Sequence, residues 1–99
     1  MLTIEQGEAG AIRLVGRLDA VQAPVAQNYF DGVQGQVALD CAQLEYISSA
    51  GLGVLLKTHK RLAGTAGGLR LVGVRPHIRD IFRYSGFDRI FQIESEAAR

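Results

Sequence analysis

The sequence predicts a single α/β domain built on a mainly parallel central sheet with helices packed on it, in the order β-β-α-β-α-β-α-β. Three observations carry this. The chain has 99 residues, the size of one domain. Its apolar residues recur with a period of two in some stretches and of 3.6 in others, the marks of strands and helices. From residue 11 onward the two patterns alternate, which argues for parallel strands joined by right-handed crossovers. No internal repeat, low-complexity segment or linker breaks the series.

Residues 2–5 and 11–18 read as two short strands joined by the turn-like cluster Gly7-Glu8-Ala9-Gly10. In the second strand Ile12, Leu14, Gly16 and Leu18 share one face, and Arg13, Val15 and Arg17 share a half-exposed one. Asp19 ends it. A helix follows, with Pro24 in its first turn and Ala26, Tyr29, Phe30 and Val33 at i, i+3, i+4, i+7; Gly32 and Gly35 bracket its end. Residues 37–41 form a short apolar run with Asp40 inside it, read as a buried strand. A loop then leads to the longest helical pattern, residues 49–63. Leu52, Leu55, Leu56, His59, Leu62 and Ala63 line one stripe of it, with Gly53, Lys57, Lys60 and Gly64 opposite.

Gly67-Gly68 reads as a turn and residues 69–74 as a strand. Pro76 opens a third helix that turns Ile78, Ile81 and Phe82 inward, and Gly86 is its left-handed stop. Arg75, Arg79 and Arg83 fall at i, i+4, i+8 and read as one exposed face. Residues 90–93 are the last strand, and the polar or small tail 94–99 is expected to fray.

Composition narrows the function. Hydrophobic residues make up 47% of the chain, enough to fill an independent core. Area scaling puts the surface buried on folding at roughly 10,000 Å². Eleven Lys/Arg against ten Asp/Glu leave +1, so no bulk field draws nucleic acid or an anionic membrane. The single Cys41 has no internal disulfide partner, and Cys41, His59 and His77 are too few for a structural zinc site. No metal or cofactor is expected. The longest apolar run, residues 50–56, is far short of the ~18 residues of a spanning helix. The first residues lack the basic region and apolar core of a secretory signal, so the expectation is a cytoplasmic protein without membrane insertion.

Ligand and partner sites in parallel sheets favour the loops at strand C-terminal ends, which here hold Asp19, Ser48-Ser49 and Arg75-Pro76. The segment Ile47-Ser48-Ser49-Ala50-Gly51-Leu52-Gly53 stands out. Either serine suits the N-cap of the following helix, a role worth about 1 kcal/mol. Gly51 and Gly53 fall in its first turns, each at a cost of roughly 1 kcal/mol relative to Ala. Such a cost marks a place where a phosphate, a nucleotide or a partner surface approaches the backbone. On that reading Gly51→Ala keeps or slightly raises stability and weakens binding. A helix N-terminus also accommodates a phosphoryl group, so a phosphoserine fits here.

Enzymatic readings are weaker. The Gly-x-Ser-x-Gly elbow is absent, and His59 lies about 15 Å beyond Ser49 along the helix axis. It reads as a core-boundary histidine, and His77 as a surface residue. Residues 64–68 lack the Gly-Lys-Ser/Thr ending of a phosphate loop. The chain is not read as an enzyme.

Residues 47–56, preceded by Leu39-Asp40-Cys41, resemble the phosphorylation-site region of STAS domains of the anti-sigma factor antagonist family. Gly16-Arg17-Leu18-Asp19 is similar to that family's Gly-x-Leu-Asp at the end of its second strand. Arg75-Pro76-His77-Ile78 through Ser85-Gly86-Phe87-Asp88-Arg89-Ile90-Phe91 resembles its last helix and strand. The resemblance covers nearly the whole chain in the correct order. It implies a binding module, without catalysis of its own, whose unphosphorylated form binds an anti-sigma factor serine kinase and frees a sigma factor to regulate transcription. Phosphorylation ends that binding, and a metal-dependent serine phosphatase restores it. The family's acceptor matches Ser49, directly before Ala50. The preceding family position is usually Asp but is Ser48 here, which makes Ser48 the alternative acceptor. Asp19, Ser48, Ser49, Gly51 and Gly53 are the implied partner-binding residues. The alternative is a soluble STAS subunit docking on the ATPase of a membrane transporter, with Ser48-Ser49 as contacts that need never be phosphorylated.

Overall fold

Alternation at the start of the chain closes into a hairpin: β1, Leu2–Gln6, pairs antiparallel with β2, Ile12–Leu18. The computed structural model describes residues 1–7, 10–35, 37–66 and 68–95; the expected turn positions Glu8, Ala9 and Gly67 and the tail 96–99 lie outside them. After β2 come α1 (Ala23–Asp31), β3 (Val37–Ile47), α2 (Ser49–Ala66), β4 (Leu69–Val74), α3 (Pro76–Tyr84), a 3₁₀ turn (Phe87–Arg89) and β5 (Gln92–Ser95). Among the described residues the sheet has five strands in the order β1-β2-β3-β4-β5, and every pair after the hairpin is parallel.

Each crossover steps to the neighbouring strand in one direction, so right-handed connections place all three helices on one face. The register shows the result. Ile12, Leu39, Leu71 and Ile93 form a row across four strands, facing the helices. Leu39 and Leu71 in it are wholly buried, together with Leu14, Phe30, Leu55, Ile78 and Phe82. The opposite face is open and tiled with charges. Arg13 meets Glu5 at 3.4 Å and Asp40 at 3.6 Å, Arg70 meets Glu94 at 2.9 Å, and the Arg17 guanidinium lies 4.5 Å from the Tyr46 ring centre. A third to a half of each ion-paired side chain is in water, so each pair stabilises by at most about 1 kcal/mol.

The fold departs from the expected elements in four places. β3 runs to Ile47, where only residues 37–41 were expected as strand. Six steps from Ile12 to Leu18 match eight from Leu39 to Ile47, so β3 carries two bulges that destroy its period-two signal. At the first, the Asp40 carboxylate accepts the Ala42 amide at 3.0 Å. The last strand is shifted two residues onward, because Phe87–Arg89 coils after the left-handed Gly86 (φ +80°). Phe91 is buried there, edge-on to the rings of His59, Phe82 and Phe87, and Glu94 and Ser95 extend β5 rather than fray. In α2, Val54 and Thr58 are buried and Ala63 is exposed, so the inward stripe is broader and rotated from the expected one. The buried Thr58 hydroxyl donates to the Val54 carbonyl at 2.9 Å. Arg75 does not share an exposed face with Arg79 and Arg83; it is half-buried and precedes α3 in extended conformation.

Two long side chains lock α2 to its neighbours. Arg61 donates to the carbonyls of Phe30 and Val33 at 2.6 and 2.9 Å, capping the C-terminal end of α1 with a cation. The His59 Nδ1 accepts the Leu69 amide at 3.0 Å, fixing the start of β4.

Candidate functional site

Leu18 of β2 and Ile47 of β3 are parallel partners at their strand ends, so Asp19 and Ser48 leave the sheet side by side. The Ser48 amide donates to the Leu18 carbonyl at 2.9 Å, tying the two exits together. From there the two serines divide. Ser48 is half-buried; its Oγ accepts the Gly51 amide at 3.2 Å and its carbonyl accepts the Leu52 amide at 2.9 Å. That is the geometry of an N-cap. Ser49 is the first helical residue and is exposed. The first turn of α2 contains no acidic side chain, so the positive end of its dipole is not offset there.

Asp19 closes the turn into α1. Its Oδ1 accepts the Gln22 amide at 3.1 Å, and its carbonyl accepts the amides of Gln22 and Ala23 at 3.1 and 2.9 Å. Its Oδ2 stands 4.0 Å from Arg17 Nε. Immediately after it, Val21 and Val25 are exposed apolar residues, at 78% and 56%. The third loop also turns toward this end of β3: Arg75 Nε donates to the Ala42 carbonyl at 2.7 Å, and His77 Nε2 donates to the Glu45 carbonyl at 2.9 Å.

The two glycines divide as the serines do. Gly51 is buried, and a Cβ there would stand 2.7 Å from both Leu18 Cγ and the Leu18 carbonyl oxygen and 2.9 Å from Ile47 Cγ1. Its lack of a side chain lets the first turn of α2 settle on the ends of β2 and β3. This overturns the expectation that Gly51 offers its backbone to a partner and tolerates Ala. Gly53 looks the other way, with nothing within 4 Å of a Cβ built on it.

Other candidate chemistry disperses. His59 accepts the Leu69 amide and lies edge-on to Phe91, and His77 bonds the Glu45 carbonyl; neither bonds a serine among the described residues. Among the described residues no group of three or more His, Cys, Asp or Glu is placed to hold a metal ion. No helix among them is long and apolar enough to cross a membrane. Cys41 is wholly buried, and burial, with the neighbouring Asp40 charge adding to it, pushes its thiol up to about 12. An open depression of about 430 Å³ lies at the other end of the sheet, lined by Gln6, Ile12, Tyr29, Val33, Gln34 and Val37 among others. Sequence reasoning missed the bonds from Arg75 and His77 to β3, which join residues 33 and 32 apart. Either serine has a backbone amide three residues on, so the cap spacing does not separate Ser48 from Ser49; the β2–β3 pairing that ends at Ile47 does.

This exit of adjacent strand ends into a serine-capped helix is met by the family comparison, in which residues 1–98 match the STAS domain. The chain belongs to the STAS family. It is 44% identical over 63 residues to BtrV of Bordetella bronchiseptica, which bears the name anti-sigma factor antagonist. That alignment takes in 64% of this STAS domain and 54% of the relative, so the chain spans about half the length of that relative. The crystal structure of an anti-sigma factor antagonist from Mycobacterium paratuberculosis superposes with a TM-score of 0.79 at 23% identity, over 95% of this chain and 84% of that one. The Bacillus cell fate determinant SpoIIAA in its phosphorylated form gives 0.66 at 19% identity, over 97% and 93%. At those identities the two structures establish a shared fold.

Proposed function

We propose that this STAS domain is an anti-sigma factor antagonist switched by phosphorylation of Ser49. The observation that carries the reading is the division of the two hydroxyls. Ser48 is occupied as the cap, while Ser49 is exposed at the start of a helix whose first turn holds no acid. The antagonist name of the Bordetella relative supports the role, and the phosphorylated form of SpoIIAA, which shares the fold, supports a switch by phosphorylation. In this reading the unmodified domain binds a serine-kinase anti-sigma factor in the cytoplasm and releases its sigma factor. Asp19, Ser49, Gly53 and the exposed Val21 and Val25 form the contact surface. Phosphate on Ser49 adds about −1.5 to −2 charges to that surface and ends the complex. A metal-dependent serine phosphatase reverses it, and the domain itself carries no catalysis.

The test is incubation with the serine-kinase anti-sigma factor of the same genome and Mg-ATP, followed by peptide mapping. One phosphate on Ser49, and none on Ser49→Ala, is the expected result. A phosphate on Ser48 overturns the residue assignment, and tight binding without any phosphate overturns the switch.

A further inference from the structure

The strand that delivers the two serines is held differently on its two edges. Toward β2 it is bound by backbone pairing up to the exit, with Leu44, Tyr46 and Ile47 opposite Gly16, Arg17 and Leu18. Toward β4 the paired register runs from Val37↔Leu69 to Asp40↔Val72, while β3 continues to Ile47. Gly73 has φ +67°, a left-handed conformation, and a Cβ on it would stand 3.3 Å from the Ala42 side chain. Gly73 thus packs against the β3 bulge at Ala42, and β4 ends at the next residue, Val74. Beyond the last paired residues two side chains bond β3. Arg75 is half-buried and gives its Nε–H to the Ala42 carbonyl, and the exposed His77 gives its Nε2–H to the Glu45 carbonyl. Glu45 is three residues before Ser48.

We infer that Arg75 and His77 are positioning residues for the Ser48-Ser49 turn. A parallel backbone ladder is a cooperative, buried set of bonds. Two side-chain bonds, one from a residue open to solvent, break locally and at low cost. The α3 edge is therefore the yielding side of the acceptor turn. Loss of the His77 bond frees the Glu45 carbonyl and loosens the turn without touching either serine. The significance of this coupling rests on Ser49 being the acceptor; the coupling itself does not.

Amide hydrogen exchange of the whole chain tests it, beside urea unfolding of the same samples. In Arg75→Ala/His77→Ala the amides of Ser48, Gly51 and Leu52 should exchange about three- to tenfold faster, the effect of losing one or two modest hydrogen bonds. Amides of α1 and of the β1–β2 hairpin should change only by the loss in global stability. Arg75→Lys/His77→Gln, which keeps a donor at each place, should restore protection of the turn. Uniform acceleration along the chain overturns the inference, as does failure of the donor-keeping pair to restore protection. Should the double alanine variant not fold, His77→Ala alone decides, since its side chain is exposed: a folded protein with unchanged exchange at Ser48 and Gly51 overturns the proposal. An unphosphorylated Ser49 in the kinase assay leaves this pattern as it is, so the two readings fail separately.

Discussion

Gly51 and Gly53 stand two residues apart in α2 and so face nearly opposite ways. Propensity alone assigns both the same cost, which is why the sequence could not tell them apart; only the packing of Leu18 and Ile47 beneath Gly51 separates them. Gly51→Ala should lose about 1–3 kcal/mol, because backbone and branched side chains cannot both move away from the new methyl. Gly53→Ala should gain up to about 1 kcal/mol, since it removes helix-interior backbone freedom and meets no atom. Urea denaturation of the two variants gives both signs at once, and equal changes would contradict the inward and outward assignment. Cys41 supplies a pH dependence at the same scale. Its folded-state pKa, raised to about 12 from 9.0, keeps the proton on sulfur when the unfolded chain has already lost it. Stability from this group is therefore complete below pH 9 and falls as pH rises toward 12. Cys41→Ala should be less stable at neutral pH through the lost packing, yet show a shallower alkaline decline in the same denaturation series.

At the scale of elements, α2 is held at its start and in its second half by different chemistry. Ser48 caps its start, and Arg61, three turns further on, takes the carbonyls that close α1. Ser48→Ala should cost about 1 kcal/mol. Arg61→Ala should cost about 1–2 kcal/mol, for a charged donor shared between two carbonyls and partly in water. The sites are about 20 Å apart along the helix, so the double variant should lose the sum of the two within about 0.5 kcal/mol. A clear excess, read by thermal or urea unfolding, would show that α1 and α2 dock as one unit. The helices were legible because each buries a stripe at 3.6-residue spacing. β3 was legible only as far as its first bulge, since each bulge reverses which residues face inward. The last strand was displaced because Ile90 and Phe91 form an apolar pair that the chain uses for a turn and a ring cluster, not for pairing.

For the whole molecule, the order of elements was enough to give the parallel sheet, because alternating strands and helices with right-handed crossovers leave few other arrangements. The bonds of Arg75 and His77 to β3 were not legible, since nothing local marks a side chain that bonds a carbonyl on another strand. The same global view decides what a charge at Ser49 does. The residue sits at the positive end of an 18-residue helix, outside the core, on the rim where β2 and β3 end. An anion there gains about 0.3–1 kcal/mol from the dipole and disturbs no cap, because Ser48 holds that place. Ser49→Asp should therefore unfold in urea at or slightly above the wild-type midpoint, and Ser49→Ala within about 0.5 kcal/mol of it. Binding should separate them. Titration calorimetry with the serine-kinase anti-sigma factor should find Ser49→Ala as tight as wild type and Ser49→Asp weaker by about tenfold or more, because a carboxylate desolvated without a partner in an interface costs several kcal/mol. If both bind alike, the charge is not the switch; if Ser49→Asp unfolds readily, the charge acts by breaking the fold instead.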